Sequence, residues 1–149
     1  MSLKERITED MKNAMRAQDK ARVGALRLIT AGIKQIEVDQ RIAALDDTKV
    51  LDVLTRMIKQ RRESIDQFKK AGRDDLVAQE QYELEIIQPY LPAALSDGDL
   101  ARLIEAAIQE TGATDIKQMS KVMALLKAKV QGRADMTEVS RVIKQKLAP

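Results

Sequence analysis

The stretch DKARVGALRLITAGIKQIEVDQ, residues 19–40, decides the fold, because it carries the pattern of one long amphipathic helix. Asp19 stands where a carboxylate can accept hydrogen bonds from the free backbone N–H groups of a first helical turn. The apolar residues that follow recur at helical spacing and form a single stripe: Val23, Leu26, Ile29, Ile33 and Ile36. The spacing predicts a helix that begins after Asp19 and fades near residues 40–46.

Helical signals continue on both sides of this stretch. Ser2 and Glu5 have the spacing of a capping box, which predicts a first helix that ends at about Ala17. Further helices are predicted to begin at Thr48, at Asp74 or Asp75, at Ser96 or Asp97, at Asp115 and at Asp135. Only 2% of the 149 residues are aromatic, and helix-forming residues are abundant. The sequence therefore predicts an all-α fold of seven helices without a strand.

A domain boundary is predicted at PYLPAALS, residues 89–96, where two prolines stand within four residues. The expected organisation is an N-terminal domain, residues 1–92, built as a helical hairpin of long helices. A small three-helix domain, residues 93–149, follows it.

Charge is sorted along the chain. Residues 1–71 carry a net charge of +5, residues 72–116 carry −8, and residues 117–149 carry +6, although the whole chain is only +3. A concentrated basic surface favours an anionic partner such as nucleic acid, while a solvated helix face is the alternative interpretation.

The basic segment begins with a predicted helix whose core-facing stripe comprises Ile116, Met119, Val122, Met123, Leu126 and Val130. Lys117 and Lys121 are expected to point away from this stripe, and Lys127 and Lys129 to flank it. Ser120, Ala124 and Ala128 form a row of small residues beside the outward lysines. Such a row suits either a closely approaching partner or a plain helix surface.

The turn after this helix is the second candidate site. Gly132 is predicted to end the helix, and Arg133 lies beside the start of the last helix, where free N–H groups and a guanidinium would favour a phosphate. The alternative is that Gly132 serves only as a helix terminator and that Asp135 caps the last helix. Arg141 and Lys144 extend the candidate RNA-binding set along that helix.

The residues absent from the chain exclude several kinds of chemistry. There is no Cys and no His, so an ordinary zinc site, a Ser-His-Asp triad and a Cys-His pair are excluded. No phosphate-binding glycine motif occurs. We therefore predict no catalytic residue, no cofactor and no metal site. The basic segment lacks aromatic residues, which favours a folded RNA over a single strand.

The chain shows neither a signal peptide nor an apolar run long enough to span a bilayer, so it is expected to be cytoplasmic and not bound to a membrane.

Four motifs resemble the GatB/YqeY family, specifically its stand-alone YqeY-like proteins. They are LRLITAGIK at 26–34, the F-x-x-A-G-R-D-D-L stretch at 68–76, E-x-E-I-I-x-x-Y-L-P from Glu83 to Pro92, and SKVMALLKAKVQGRAD at 120–135. The part from residue 93 resembles the tail domain of the B subunit of tRNA-dependent amidotransferases. Ser120 and Ala124 depart from that domain, which commonly has glycine at these positions.

This resemblance implies an all-helical fold and a non-catalytic adaptor whose tail contacts the body of a tRNA, with a tRNA-handling protein as a further partner. It points to Lys121, Lys127, Lys129, Gly132 and Arg133 as contact residues. The family association also suggests a glutamine-dependent carbon–nitrogen ligase, but no motif of the chain supplies such chemistry.

A third hypothesis is a protein-interaction module that docks a basic partner on the acidic middle region. Glu80, Glu83, Asp97 and Asp99 are its candidate residues. Acidic residues also gather in the first turns of helices, where they interact favourably with the helix dipole.

Overall fold

The computed structural model describes residues 1–148 as seven α-helices and two short 3₁₀ turns, with no strand among them. The helices are α1 (Leu3–Arg16), α2 (Lys20–Gln40), α3 (Asp47–Lys70), α4 (Asp74–Ile87), α5 (Asp97–Thr111), α6 (Met119–Val130) and α7 (Met136–Leu147). The 3₁₀ turns comprise Gln88–Tyr90 and Ile116–Gln118. The prediction of an all-α fold is confirmed.

Side-chain caps fix most of the helix starts. The Ser2 hydroxyl accepts a hydrogen bond from the Glu5 N–H while the Glu5 carboxylate accepts one from the Ser2 N–H, so the predicted capping box is present. Asp19 caps α2 as predicted. The third helix starts earlier than predicted, because the carboxylate of Asp46 accepts the Lys49 N–H at 2.9 Å and caps it ahead of Thr48.

The described chain separates into two compact units, the first of which is Met1–Leu91. In this unit α1 packs against α2, α3 packs against α4, and α2 contacts both α3 and α4. Its core is aliphatic and centres on side chains that are almost wholly buried: Ile7, Leu26, Ile29, Ile33, Val50, Leu54 and Ile87. The stripe predicted for α2 therefore supplies part of this core.

Two partly buried ion pairs also hold the first unit together. Lys4 Nζ lies 2.7 Å from Glu37 Oε2, which also accepts the Leu45 N–H at 2.9 Å. Arg61 Nε lies 3.0 Å from Glu83 Oε2, and both side chains are only about one-eighth exposed. Arg61 is shielded from solvent because α4 packs against α3 and places a carboxylate beside it.

Tyr90 is buried at the end of the first unit. Its hydroxyl donates to Asp10 on α1, and the Arg6 guanidinium lies 5.0 Å from the centre of its ring. Tyr82 also packs against the core of this unit. Tyr90 is thus buried and Tyr82 partly buried against this core.

The second unit runs from Pro92 onward and contains α5, α6 and α7. Each of these helices packs against the other two. The core comprises Leu100, Ile104, Val122, Leu126, Val130, Val139 and Ile143, with Leu147 at its edge. This small core fixes the orientation of α6 and so determines which of its lysines face solvent.

Candidate nucleic-acid interface

The basic segment does not start as a single regular helix. The Asp115 carboxylate accepts the Lys117 N–H at 2.9 Å and opens the 3₁₀ turn, and α6 begins only at Met119. A 3₁₀ turn has three residues per turn, so it shifts side chains relative to a continuous α-helix. Ile116 is consequently 47% exposed, and its predicted place in the core stripe is wrong.

The rest of α6 follows its periodicity. Val122, Leu126 and Val130 are fully buried, and Met119 and Met123 pack partly against the same core. All four lysines of the segment are exposed: Lys117 on the turn and Lys121, Lys127 and Lys129 on the helix. We call these four residues the lysine surface. On α6 itself, Lys121 lies between Lys127 and Lys129 around the outer side.

The lysine surface carries charge that the described residues do not neutralise. No carboxylate among residues 1–148 lies within ion-pair distance of any of the four ammonium groups. Three other cations of the second unit are paired: Arg102 with Asp99, Arg141 with Glu138, and Lys146 with Glu105 at 3.0 Å. Four unpaired ammonium groups therefore concentrate on one short segment.

An apolar groove of about 490 Å³ adjoins the lysine surface. Its lining comprises Met119, Ser120, Met123, Ala124, Lys127 and Met136. Two residues of the predicted small-residue row, Ser120 and Ala124, thus line a depression between α6 and the start of α7. The small side chains of Ser120 and Ala124 leave the groove open to a partner, and the Lys127 ammonium group adds a positive charge to its lining.

Arg133 has a role inside the second unit. Its Nε donates to the backbone carbonyl of Ala93 at 3.1 Å, and its own carbonyl oxygen accepts the Leu95 N–H at 2.9 Å. Gly132 adopts a left-handed φ of 72°, which lets the chain reverse after α6. The turn therefore fastens the segment that enters α5.

The start of α7 already has an anionic partner. The Asp135 carboxylate accepts the Thr137 N–H at 2.8 Å, so it caps the last helix at the place proposed for a phosphate. Glu138 in the first turn of α7 binds Arg141, which lowers the pKa of the Glu138 carboxyl and raises that of the Arg141 guanidinium. These contacts favour the structural interpretation of Gly132 and Arg133.

Of the remaining predicted contact residues, Lys144 is exposed on α7 and has no ion-pair partner within the described chain. Arg141 is exposed but shares its charge with Glu138. The ion pair of Lys146 with Glu105 was not foreseen, because the two residues are distant in sequence and meet only when α7 packs against α5.

The acidic candidates are largely engaged within the chain. Glu83 binds Arg61, and the Arg102 guanidinium and the Ser96 hydroxyl hold the pKa of Asp99 below its usual value. Burial, together with the nearby Glu83, raises the pKa of Glu80. Glu80 and Glu83 belong to the first unit, whereas Asp97 and Asp99 belong to the second.

The sequence model of a protein family described as "Yqey-like protein" matches residues 4–147, almost the whole chain. The chain belongs to the YqeY-like protein family. This confirms the stand-alone YqeY-like resemblance that the sequence motifs indicated.

Several fungal relatives in this family share the name "Altered inheritance of mitochondria protein 41, mitochondrial". The Eremothecium gossypii protein is 40% identical over 110 residues, which cover 72% of this chain and 60% of the relative. The Kluyveromyces lactis protein is 34% identical over 115 residues, 75% of this chain and 59% of the relative. A Saccharomyces cerevisiae protein is 32% identical over 120 residues, which cover 76% of this chain and 64% of the relative. The YqeY-like chain thus spans less than two thirds of these relatives.

These names correct one prediction. The prediction of a cytoplasmic location is wrong, because the relatives are named as mitochondrial proteins. Within residues 1–148, no helix combines the length and the apolar character that a membrane crossing requires.

Proposed function

We propose that this YqeY-like chain is a non-catalytic adaptor that binds tRNA through its lysine surface. The observation that carries the proposal is that Lys117, Lys121, Lys127 and Lys129 are all exposed and have no carboxylate partner in the described chain. Neutralising RNA phosphates with such groups releases condensed counterions, which is a large source of affinity.

The identity of the nucleic acid rests on two further arguments. The exposed side of α6 carries no aromatic residue, so recognition by base stacking is disfavoured and a folded RNA fits better. The resemblance of the second unit to the tail domain of the amidotransferase B subunit then favours tRNA. An adaptor of this kind would deliver tRNA to a tRNA-handling protein that performs the chemistry.

The groove beside Lys127 supports a close approach. Ser120 and Ala124 place only small side chains on its α6 side. An RNA backbone could therefore approach α6 more closely than it could approach a helix with long side chains there. Met119, Met123 and Met136 supply flexible apolar side chains that adjust to an irregular partner.

A salt titration of tRNA binding tests the proposal. If about four phosphates are neutralised, a plot of log K against log salt concentration should have a slope of about −3 to −4. Replacing all four lysines of the lysine surface by glutamine should abolish most of the affinity and flatten this slope.

The matched control replaces four exposed lysines of the first unit, Lys12, Lys59, Lys69 and Lys70, by glutamine. Both variants lose the same net charge, so only a local site distinguishes them. If both variants lose tRNA affinity equally, binding depends on the overall charge of the protein and not on the lysine surface. An absence of tRNA binding by the unmodified chain at low salt would refute the proposal.

A further inference from the structure

Helix α2 has a second apolar side that faces solvent. Opposite its buried stripe, the positions Ala21, Gly24, Leu28, Ala31, Gln35 and Val38 are all exposed. They follow one another at steps of three and four residues, so they form one continuous band along about five turns. We call this band the outer face of α2.

The outer face is unusual for a helix in contact with water. Leu28 is 46% exposed and Val38 is 62% exposed, and a Cβ built on Gly24 would meet no atom within 4 Å. The solvent side of a surface helix normally carries charged and polar residues. A helix that is apolar on both sides is normally covered on both. The outer face therefore has the composition of a contact surface.

A row of cations borders this face on one side. Lys20, Arg27 and Lys34 follow at seven-residue intervals, and all three are exposed. In the part of the chain that the structure describes, none lies within ion-pair distance of a carboxylate, although Lys34 is near enough to lower the pKa of Glu37. Between residues 20 and 38, no acidic residue is exposed. Asp39, near the end of α2, is exposed and accepts a hydrogen bond of 2.9 Å from Gln35 of the outer face.

We propose that the outer face of α2 binds an amphipathic helix of a partner protein, with acidic residues of that helix facing Lys20, Arg27 and Lys34. Steps of three and four residues are the spacing of the seam between two packed helices. The small residues Ala21, Gly24 and Ala31 permit close approach, and Leu28 and Val38 supply the apolar area to be buried.

The charges argue against an antiparallel pair of two copies of this chain. In an antiparallel pair formed by two copies, the two basic edges would lie side by side, with Arg27 close to its symmetry mate. Like charges along a helix pair are destabilising, whereas a row of acidic residues at the same spacing would be attracted. A helix with apolar seam positions and acidic flanking positions can pack its apolar residues on the outer face and pair its carboxylates with the bordering cations.

Two synthetic peptides of about four heptads test this assignment. Both have Ala and Leu at the seam positions. One has Glu at all flanking positions and the other has Lys, so self-repulsion keeps each peptide monomeric. Isothermal titration of the full chain at low salt should show binding of the Glu peptide and at least about tenfold weaker binding of the Lys peptide.

Variants of α2 then localise the binding. Leu28→Glu should weaken binding of the Glu peptide by at least about tenfold, because it places a charge in the seam. Arg27→Glu with Lys34→Glu should reverse the preference between the peptides. Gln60→Glu, an exposed change on α3 that adds the same charge, should leave binding unchanged. Circular dichroism checks that each variant is folded.

Four results would overturn the proposal. The first is equal binding of the two peptides, and the second is binding of the Glu peptide that Leu28→Glu does not weaken. The third is sedimentation of the unmodified chain as a dimer that Leu28→Glu dissociates, which would assign the face to a second copy. The fourth is no peptide binding by the unmodified chain together with a loss of tRNA binding in Leu28→Glu, which would assign the face to RNA.

Discussion

The hydroxyl of Tyr90 donates a hydrogen bond of 2.5 Å to Oδ2 of Asp10, a residue 80 positions earlier in the chain. This contact ties the 3₁₀ turn after α4 to α1. Burial and the adjacent Asp10 carboxylate raise the pKa of Tyr90 well above its ordinary value. This polar contact therefore joins the beginning and the end of the first unit beside its aliphatic core.

Replacing Tyr90 by phenylalanine should lower the free energy of unfolding by about 1 to 3 kcal/mol, because the Asp10 carboxylate loses a charge-assisted hydrogen bond. Urea unfolding of the full chain measures the change, with an unchanged m-value as the sign that only stability has altered. Tyr82→Phe is the matched control, since the Tyr82 hydroxyl makes no hydrogen bond with the part of the chain that the structure describes.

The same tyrosine predicts a dependence on alkaline pH. Its pKa is raised in the folded state, so above about pH 10 the unfolded chain releases the phenolic proton first and unfolding is favoured. Stability should fall as the pH rises beyond that value, and it should fall less steeply in Tyr90→Phe. Parallel slopes for the two proteins would show that Tyr90 does not contribute.

Glu37 predicts the opposite dependence in acid. Its hydrogen bond with Lys4 lowers its pKa, and the Leu45 N–H contributes in the same direction against the effect of burial. The carboxylate therefore stabilises the fold above its ordinary pKa of about 4.5, and this contribution is lost as the pH falls through the lower folded-state value. Glu37→Gln should unfold with a weaker dependence on pH between about 5 and 3, measured in urea at a series of pH values. Glu63→Gln, at an exposed position of α3, should retain the dependence of the unmodified chain.

The partly buried pair of Arg61 and Glu83 should show energetic coupling. Arg61→Met leaves the Glu83 carboxylate, only about one-eighth exposed, without its partner, and should cost about 1 to 3 kcal/mol. The double variant Arg61→Met with Glu83→Met should recover most of that loss. A double-mutant cycle by urea unfolding measures the coupling, and additive effects would contradict it.

Arg133 and Lys121 should respond differently to neutralisation. Lys121→Gln should reduce the salt slope of tRNA binding by about one and leave stability unchanged, because the side chain is exposed and unpaired. Arg133→Gln should lower stability by about 1 kcal/mol through the lost bond to Ala93, with little change in the salt slope. If Arg133→Gln instead lowers the salt slope of tRNA binding by about one and leaves stability unchanged, Arg133 is a phosphate contact.

Local sequence signals were sufficient for much of the helical framework. Ser2, Asp19 and Ser96 cap helices where the sequence placed them, because a cap involves only residues within one turn. The prediction was wrong where two local signals competed. Asp46, and not Thr48, caps the start of α3. Asp115 caps a 3₁₀ turn instead of an α-helix, and Ile116 on that turn is exposed.

The sequence by itself determined that the chain is helical, which side of α2 and α6 is apolar enough to be buried, and that positive charge gathers after residue 116. These properties depend on residue type and on spacing within a few turns. Only the tertiary structure decided which charges remain free, because ion pairing depends on neighbours that packing brings together. Arg61 forms an ion pair with Glu83, and Lys146 forms one with Glu105. Arg133 donates a hydrogen bond to the carbonyl of Ala93. No described carboxylate lies within ion-pair distance of the lysine surface.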